Sequence, residues 1–199
     1  MILAVILFGY LLGSIPFGLL YGKLAGVDVR RKGSGNIGAT NVTRLLGRKL
    51  GILTLASDMA KGIIPMAIAS QFFAQEPNVE LFITLAGTAA FLGHCFPVYL
   101  GFKGGKGVAT ALGIYLFLSP VSTLWAILVF ISTVLIRGYV SLGSLLASAA
   151  MPLILLWSDR SGIQIGSAVV IGLVIWIKHH TNIKRLLNGT EDGWKEKNR

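Results

Sequence analysis

The stretch Val108-Ala-Thr-Ala-Leu-Gly-Ile-Tyr-Leu-Phe-Leu-Ser119-Pro120-Val-Ser-Thr-Leu-Trp-Ala-Ile-Leu-Val-Phe-Ile-Ser-Thr-Val-Leu-Ile136 contains no charged residue. It reads either as one long helix or as two short helices broken at Ser119-Pro120. Proline removes a backbone donor and disfavours helical backbone in the residue before it. The choice decides the side on which every later loop falls. Lys and Arg in short loops favour the cytoplasmic side of a membrane. With a turn at Ser119-Pro120, 17 of the 18 basic residues lie on one side and only Arg160 lies opposite. Without it, the basic tail ending Lys195, Lys197 and Arg199 would face outside. The stretch therefore predicts an all-α polytopic membrane protein with seven transmembrane helices, the N-terminus outside and the C-terminus cytoplasmic.

Working outward, a spanning helix needs about 20 mostly apolar residues. The spans are expected near 1–22, 50–73, 80–100, 107–119, 121–136, 138–157 and 162–178, followed by a basic cytoplasmic tail over 179–199, all in one domain covering 1–199. Pro16 should kink the first. Asp58 and Lys61 interrupt the second. The two helices flanking Pro120 are expected to be short, with a thinned bilayer or partly re-entrant segments. Residues 1–22 lack a basic lead and a small-x-small cleavage pattern, so they read as a retained helix.

Composition agrees. The chain has 199 residues, 54% hydrophobic and 13% charged, and a mean hydropathy of +0.73. A formal net charge of +10 would suit nucleic acid, but almost no basic residue lies within the apolar runs, so topology explains the charge better and no nucleic acid is expected. A single cysteine, Cys95, excludes an intrachain disulfide and reads as a packed thiol.

Three polar clusters fall on the predicted cytoplasmic face. The first is Lys32-Gly-Ser-Gly-Asn-Ile-Gly-Ala-Thr-Asn-Val-Thr-Arg44. Glycines 33, 35 and 38 allow positive φ and a close approach to a ligand, and successive exposed N–H groups there would make an anion nest. Asn36, Thr40 and Asn41 add hydrogen-bonding groups, and Arg44 a planar fork that fits a phosphate. The second is Gly93-His94-Cys-Phe-Pro97 followed by Phe102-Lys103-Gly104-Gly105-Lys106-Gly107-Val-Ala-Thr110, two lysines among glycines ahead of a helix N-terminus, which favours phosphate. The Walker A spacing is absent. The third runs from His179-His-Thr-Asn182 to Arg185 and Glu191. His179 and Asn182 would share a face if the helix continues. His94 reads either as a general base or as a histidine capping a helix end, and Asp58 with Lys61 as an ion pair at the membrane edge or a functional pair. Ser34 lacks a Gly-x-Ser-x-Gly elbow, and the His-x4-Asp signature of soluble glycerolipid acyltransferases is missing.

In order and spacing, Gly33–Arg44, Gly93–Thr110 and His179-x-x-Asn182-Ile-x-Arg185-Leu-Leu-x-Gly189-Thr190-Glu191 resemble the three motifs of the bacterial acyl-phosphate:glycerol-3-phosphate acyltransferase family (PlsY). Gly13-Ser14-Ile15-Pro16 and Asp58-x-x-Lys61-Gly62 also match, so the resemblance covers nearly the whole chain. It implies transfer of a fatty acyl group from acyl phosphate to the 1-hydroxyl of glycerol 3-phosphate, giving lysophosphatidate and phosphate, the first step of phospholipid synthesis. It implies no metal or organic cofactor, a bacterial cytoplasmic (inner) membrane location with the active site on the cytoplasmic side, and membrane lipids as surroundings. The soluble enzyme that makes acyl phosphate is a candidate partner.

Within that resemblance, Ser34, Asn36, Thr40, Asn41 and Arg44, with Gly35 and Gly38, are expected to hold one phosphate. Lys103, with Gly104, Gly105, Lys106, Gly107 and Thr110, is expected to neutralise the other or the oxyanion. His179 and Asn182 would complete the acceptor pocket. Ser34, Arg44, Lys103, His179 and Asn182 are the catalytic candidates; His94, Asp58, Lys61, Arg185 and Glu191 are secondary ones. The acyl phosphate is already activated, so direct attack needs no serine or cysteine intermediate, and the proton is expected to go to the acceptor's own phosphate, with His179 or His94 as alternative bases. The competing class is a membrane carrier for a phosphate-bearing solute.

Overall fold

A computed structural model describes residues 1–194. The basic residues Lys195, Lys197 and Arg199 of the expected tail lie outside the described residues. The described chain is helical, with ten α-helices: α1 (Ile2–Gly13), α2 (Phe17–Leu24), α3 (Ala39–Leu46), α4 (Arg48–Phe72), α5 (Val79–Cys95), α6 (Val108–Leu118), α7 (Pro120–Arg137), α8 (Val140–Trp157), α9 (Gly162–Lys178) and α10 (His180–Leu187). It divides into two compact units, one ending at Phe117 and one starting at Leu118.

Five segments are long and apolar enough to cross a membrane: Ile2–Leu24, Arg48–Phe72, Val79–Leu100, Pro120–Arg137 and Val140–Trp157. The pair α9 and α10, bent by 61° at His179, makes a sixth if counted as one span. The break at Ser119-Pro120 is present, with Pro120 opening α7. The expectation of two short helices around it is met on one side only. Pro120 sits where its missing N–H costs nothing, so α7 runs for 18 residues. Helix α6 has 11 residues, about 17 Å at 1.5 Å per residue, well short of a hydrocarbon core of about 30 Å.

Burial is inverted relative to a water-soluble protein. Leu3, Leu7, Leu153 and Leu173 point outward, while Thr54, Asp58, Lys61, Thr84, His94 and Thr110 are buried. Apolar side chains gain nothing by leaving lipid, so small residues and interhelical polar contacts hold such helices together.

In the first unit, α1 lies on α5 through Gly9 and Gly13, spaced four apart. A Cβ at Gly9 would meet the carbonyl oxygen of Ala86, one at Gly13 that of Ala90, and one at Gly93 that of Tyr10. Tyr10 Oη also donates to the Phe96 carbonyl at 2.7 Å. On α4, Gly62 abuts Thr110 and Ile114 of α6. Within the first span the helix is broken at Pro16: α1 ends at Gly13 and α2 restarts at Phe17.

The second unit packs α7 on α8 and α8 on α9. Gly143 abuts Phe130 and Val134, Gly172 abuts the Ser148 carbonyl, and Trp176 Nε1 donates to the Leu145 carbonyl at 3.2 Å.

Candidate active site

The first cluster folds as a loop running into α3. Gly33 and Gly35 take φ of +58° and +70°, as expected. Gly38 does not: it stands at φ −79° as the N-cap of α3, and its glycine identity reflects space, since an added Cβ would lie 3.0 Å from Asn36 Oδ1. The expected nest of exposed amides also differs. Ser34 N donates to Asn41 Oδ1 at 3.0 Å, Gly35 N to the Lys32 carbonyl at 3.1 Å and Gly38 N to Asn36 Oδ1 at 2.8 Å. These amides hold the loop's own shape.

Asn41 is the post around which the loop is wound. It is 2% exposed, and its Nδ2 reaches the carbonyls of Val29 (2.9 Å), Lys32 (3.2 Å) and Asn36 (2.9 Å). With Oδ1 taken by Ser34, its polar atoms are engaged by backbone, which makes it a scaffold for the loop. Ser34, Gly35 and Thr40 remain exposed, and Asn36 and Arg44 are half-buried.

The second cluster lies over the C-terminal end of α5. Gly105 N donates to the His94 carbonyl at 3.1 Å. A Cβ on Gly104 would strike that carbonyl and Pro97, and one on Gly105 would strike His94 Nε2. Gly107, at φ +80°, rests on Phe91 and Cys95, and Cys95 is the buried thiol expected. This tight seat leaves Lys103 exposed and Lys106 half-buried. Thr110 is fully buried.

The first loop rests on an apolar floor that also reaches the residue leading into the second. Leu19, Val29, Ile37 and Val42 form a buried cluster, with Leu45 and Leu46 of the amphipathic α3 packed against it. Leu100, just ahead of the second loop, packs against the same cluster. Lys103 and the Ser34–Arg44 stretch therefore belong to one end of the first unit. Asp58 and Lys61 form the expected ion pair at 3.0 Å, with side chains 3% and 2% exposed, buried within the protein. His94 Nδ1 lies 3.6 Å from Asp58 Oδ1, a partner that nothing in the local sequence links to it. His94 lies in the last turn of α5 and is 4% exposed.

The third cluster is in the second unit. The helix does not continue through His179; it ends there and α10 starts afresh. His179 Nδ1 pairs with the Ile175 carbonyl at 2.8 Å, and both His179 and Asn182 are buried. Glu191 ties the cluster together: Asn182 Nδ2 donates to one carboxylate oxygen at 2.6 Å and Arg185 Nε to the other at 2.7 Å. Burial alone would raise the Glu191 pKa, but its hydrogen-bonding neighbours, Asn182 and Arg185 among them, outweigh it and hold the carboxyl below its ordinary value. Arg30, which pairs with Asp28 at 2.8 Å, holds that carboxyl well below the usual range.

Fold and site together define a multi-pass helical membrane protein that presents basic, Gly-rich loops at one end of its first unit. The family described as glycerol-3-phosphate acyltransferase matches residues 3–189. A glycerol-3-phosphate acyltransferase of Desulfotalea psychrophila is 56% identical over 96% of this chain and 97% of its own length. One of Geobacter sulfurreducens is 49% identical over 94% of each. The crystal structure of PlsY, an integral membrane glycerol 3-phosphate acyltransferase, in its glycerol 3-phosphate form matches with a TM-score of 0.90 at 46% identity, covering 96% of this chain and 94% of that one. Its lysophosphatidic acid form matches with a TM-score of 0.88 at 45% identity and the same coverage. The chain belongs to the glycerol-3-phosphate acyltransferase family.

Proposed function

We propose that the chain, as one acyltransferase domain, transfers a fatty acyl group from acyl phosphate to the 1-hydroxyl of glycerol 3-phosphate. The hydroxyl oxygen attacks the acyl carbonyl carbon, the bond from that carbon to the phosphate oxygen breaks, and inorganic phosphate departs. The hydroxyl proton goes to the acceptor's own phosphate. The products are lysophosphatidate and phosphate. The crystallised relative's glycerol 3-phosphate and lysophosphatidic acid forms correspond to substrate and product of this reaction.

The observation that carries the reading is the apolar floor that supports the first basic Gly-rich loop and reaches the residue leading into the second. Two phosphorylated substrates need two cationic positions, and an acyl tail needs an apolar membrane beside them. Ser34, Thr40 and Arg44 are assigned to one phosphate and Lys103 to the other, or to the oxyanion. The protein's contribution is positioning and charge stabilisation. His179 and Asn182 are assigned to the acceptor. Glu191, engaged by Asn182 and Arg185, supports them and is not the base.

The topology that fits the positive charge is seven membrane helices with the N-terminus outside, the C-terminus and loops cytoplasmic, in a bacterial inner membrane. The enzyme that makes acyl phosphate would then meet the basic face. Cysteine introduced at Glu76 should react with an impermeant reagent from outside, and cysteine at Lys32 only after lysis; the reverse pattern contradicts this orientation.

The function is tested with purified protein in detergent, glycerol 3-phosphate and palmitoyl phosphate. One phosphate released per lysophosphatidate formed is expected. Folded protein that moves labelled glycerol 3-phosphate across vesicles without converting it would replace this reading with the carrier.

A further inference from the structure

The buried group Lys61–Asp58–His94 touches the seats of both loops. Lys61 Nζ lies 3.0 Å from Asp58 Oδ1 and donates to the carbonyl of Ile15 at 2.9 Å. That carbonyl sits at the helix break ahead of Pro16, where a regular helical partner is lost. Helix α2 follows immediately, and Gly18 on it abuts the carbonyl of Ile37 in the first loop. The ammonium also lies 5.8 Å from the centre of the Phe17 ring. On the other side, the Nδ1 edge of His94 faces Asp58 at 3.6 Å. Its Nε2 edge faces Gly105, and its carbonyl accepts the Gly105 N–H.

Three ionisable side chains buried in a membrane protein's interior are costly unless they serve one another or a function. Here the carboxylate is shared between a cation that fastens the α1–α2 break and an imidazole that backs the lysine-bearing loop. We propose that Asp58, acting through His94, is a positioning residue that holds the Gly104–Gly107 backbone so that Lys103 meets its phosphate. The proposal rests on the assignment of Lys103 to substrate.

The test compares His94→Asn with His94→Gln, alongside Asp58→Asn and the charge-balanced Asp58→Asn/Lys61→Met. Asparagine places its amide where Nδ1 stands and so keeps the Asp58 side. Glutamine places its amide where Nε2 stands and so keeps the loop side. Hydrogen exchange of residues 101–107 reads the loop without turnover, and kcat and KM are measured on the same samples. His94→Asn and the double variant should exchange at least about tenfold faster over 101–107 and lose at least about tenfold in kcat/KM. His94→Gln, which gives up the Asp58 side, should loosen 101–107 and lose kcat/KM as well, with exchange elsewhere in α4 and α5 unchanged. Folded His94→Asn with wild-type exchange over 101–107 overturns the proposal, and so does a loosened loop with unchanged turnover. A wild-type-like His94→Gln overturns the link to Asp58, and faster exchange spread over the whole of α4 and α5 with a parallel loss of melting temperature also overturns the proposal, because that is plain structural damage. A wild type inactive with palmitoyl phosphate would count against the proposed function instead, since the exchange readout is independent of it.

Discussion

Asn41 Oδ1 accepts the backbone N–H of Ser34 at 3.0 Å across seven positions of chain, while the same side chain's Nδ2 reaches carbonyls on the far side of the loop. One buried amide thereby determines where Ser34 stands. Asn41→Asp keeps the acceptor, removes the donors and sets a carboxylate against three carbonyls. It is expected to lower kcat/KM by about 100-fold. The buried unmade bonds should cost about 1–3 kcal/mol of stability. Steady-state kinetics and thermal unfolding in detergent check both. A folded Asn41→Asp with normal kcat/KM would show that the loop does not depend on this post.

Arg44→Ala and Lys103→Ala test the loops' cations directly. Removing one group aimed at developing charge costs about 10²–10³ in rate. Arg44 is half-buried and Lys103 is exposed, so Lys103→Ala in particular should leave the protein folded and monodisperse. Near-normal turnover in a well-folded Lys103→Ala would remove that lysine from the site.

Gly107→Ala should be far more damaging than Gly38→Ala. Gly107 sits at φ +80° with Phe91 and Cys95 behind it. The left-handed backbone costs a residue with a Cβ roughly 1–2 kcal/mol, and overpacking about 1–3 kcal/mol more. Gly38 has φ −79° and only the Asn36 side chain to displace. Melting temperatures of the two variants should rank in that order, and equal melting temperatures would contradict the close packing of the second loop on α5.

Glu191 links the third cluster to pH. Its folded pKa lies below the ordinary value of 4.5. A carboxyl depressed on folding contributes stability that is present above the unfolded pKa and is lost as pH falls through the folded one. Wild-type stability should therefore be flat above about pH 4.5 and decline below it. Glu191→Gln should be less stable at neutral pH and lack that part of the decline. Melting temperature against pH for both proteins gives the answer; identical profiles would mean the contacts of Asn182 and Arg185 carry no charge-dependent stability.

Five apolar spans and the break at Pro120 were legible because they rest on local signals, apolar runs and a proline; the expected span over 107–119 is instead the 11-residue α6. The placement of Asn41 was not legible. An asparagine in a phosphate-like loop reads as a ligand, and only the folded loop shows that its polar atoms are occupied by Val29, Lys32, Ser34 and Asn36. Glycine was read too narrowly for a related reason. Positive φ explains Gly33 and Gly35, but Gly104 and Gly105 are required by the neighbouring His94, which sequence spacing does not reveal. The Asp58–His94 contact joins two helices 36 positions apart. Pairings of that kind are set by helix packing, which periodicity in one chain does not encode. Helix α7 falls within one residue of the expected 121–136 at each end because Pro120 opens it.

The donor decides the central claim. Purified protein is given glycerol 3-phosphate with either palmitoyl phosphate or palmitoyl-CoA, and lysophosphatidate is followed in each. Product with palmitoyl phosphate and none with the thioester is the predicted result. Product with palmitoyl-CoA alone would keep the acyltransferase but contradict the argument that the two basic loops serve two phosphates.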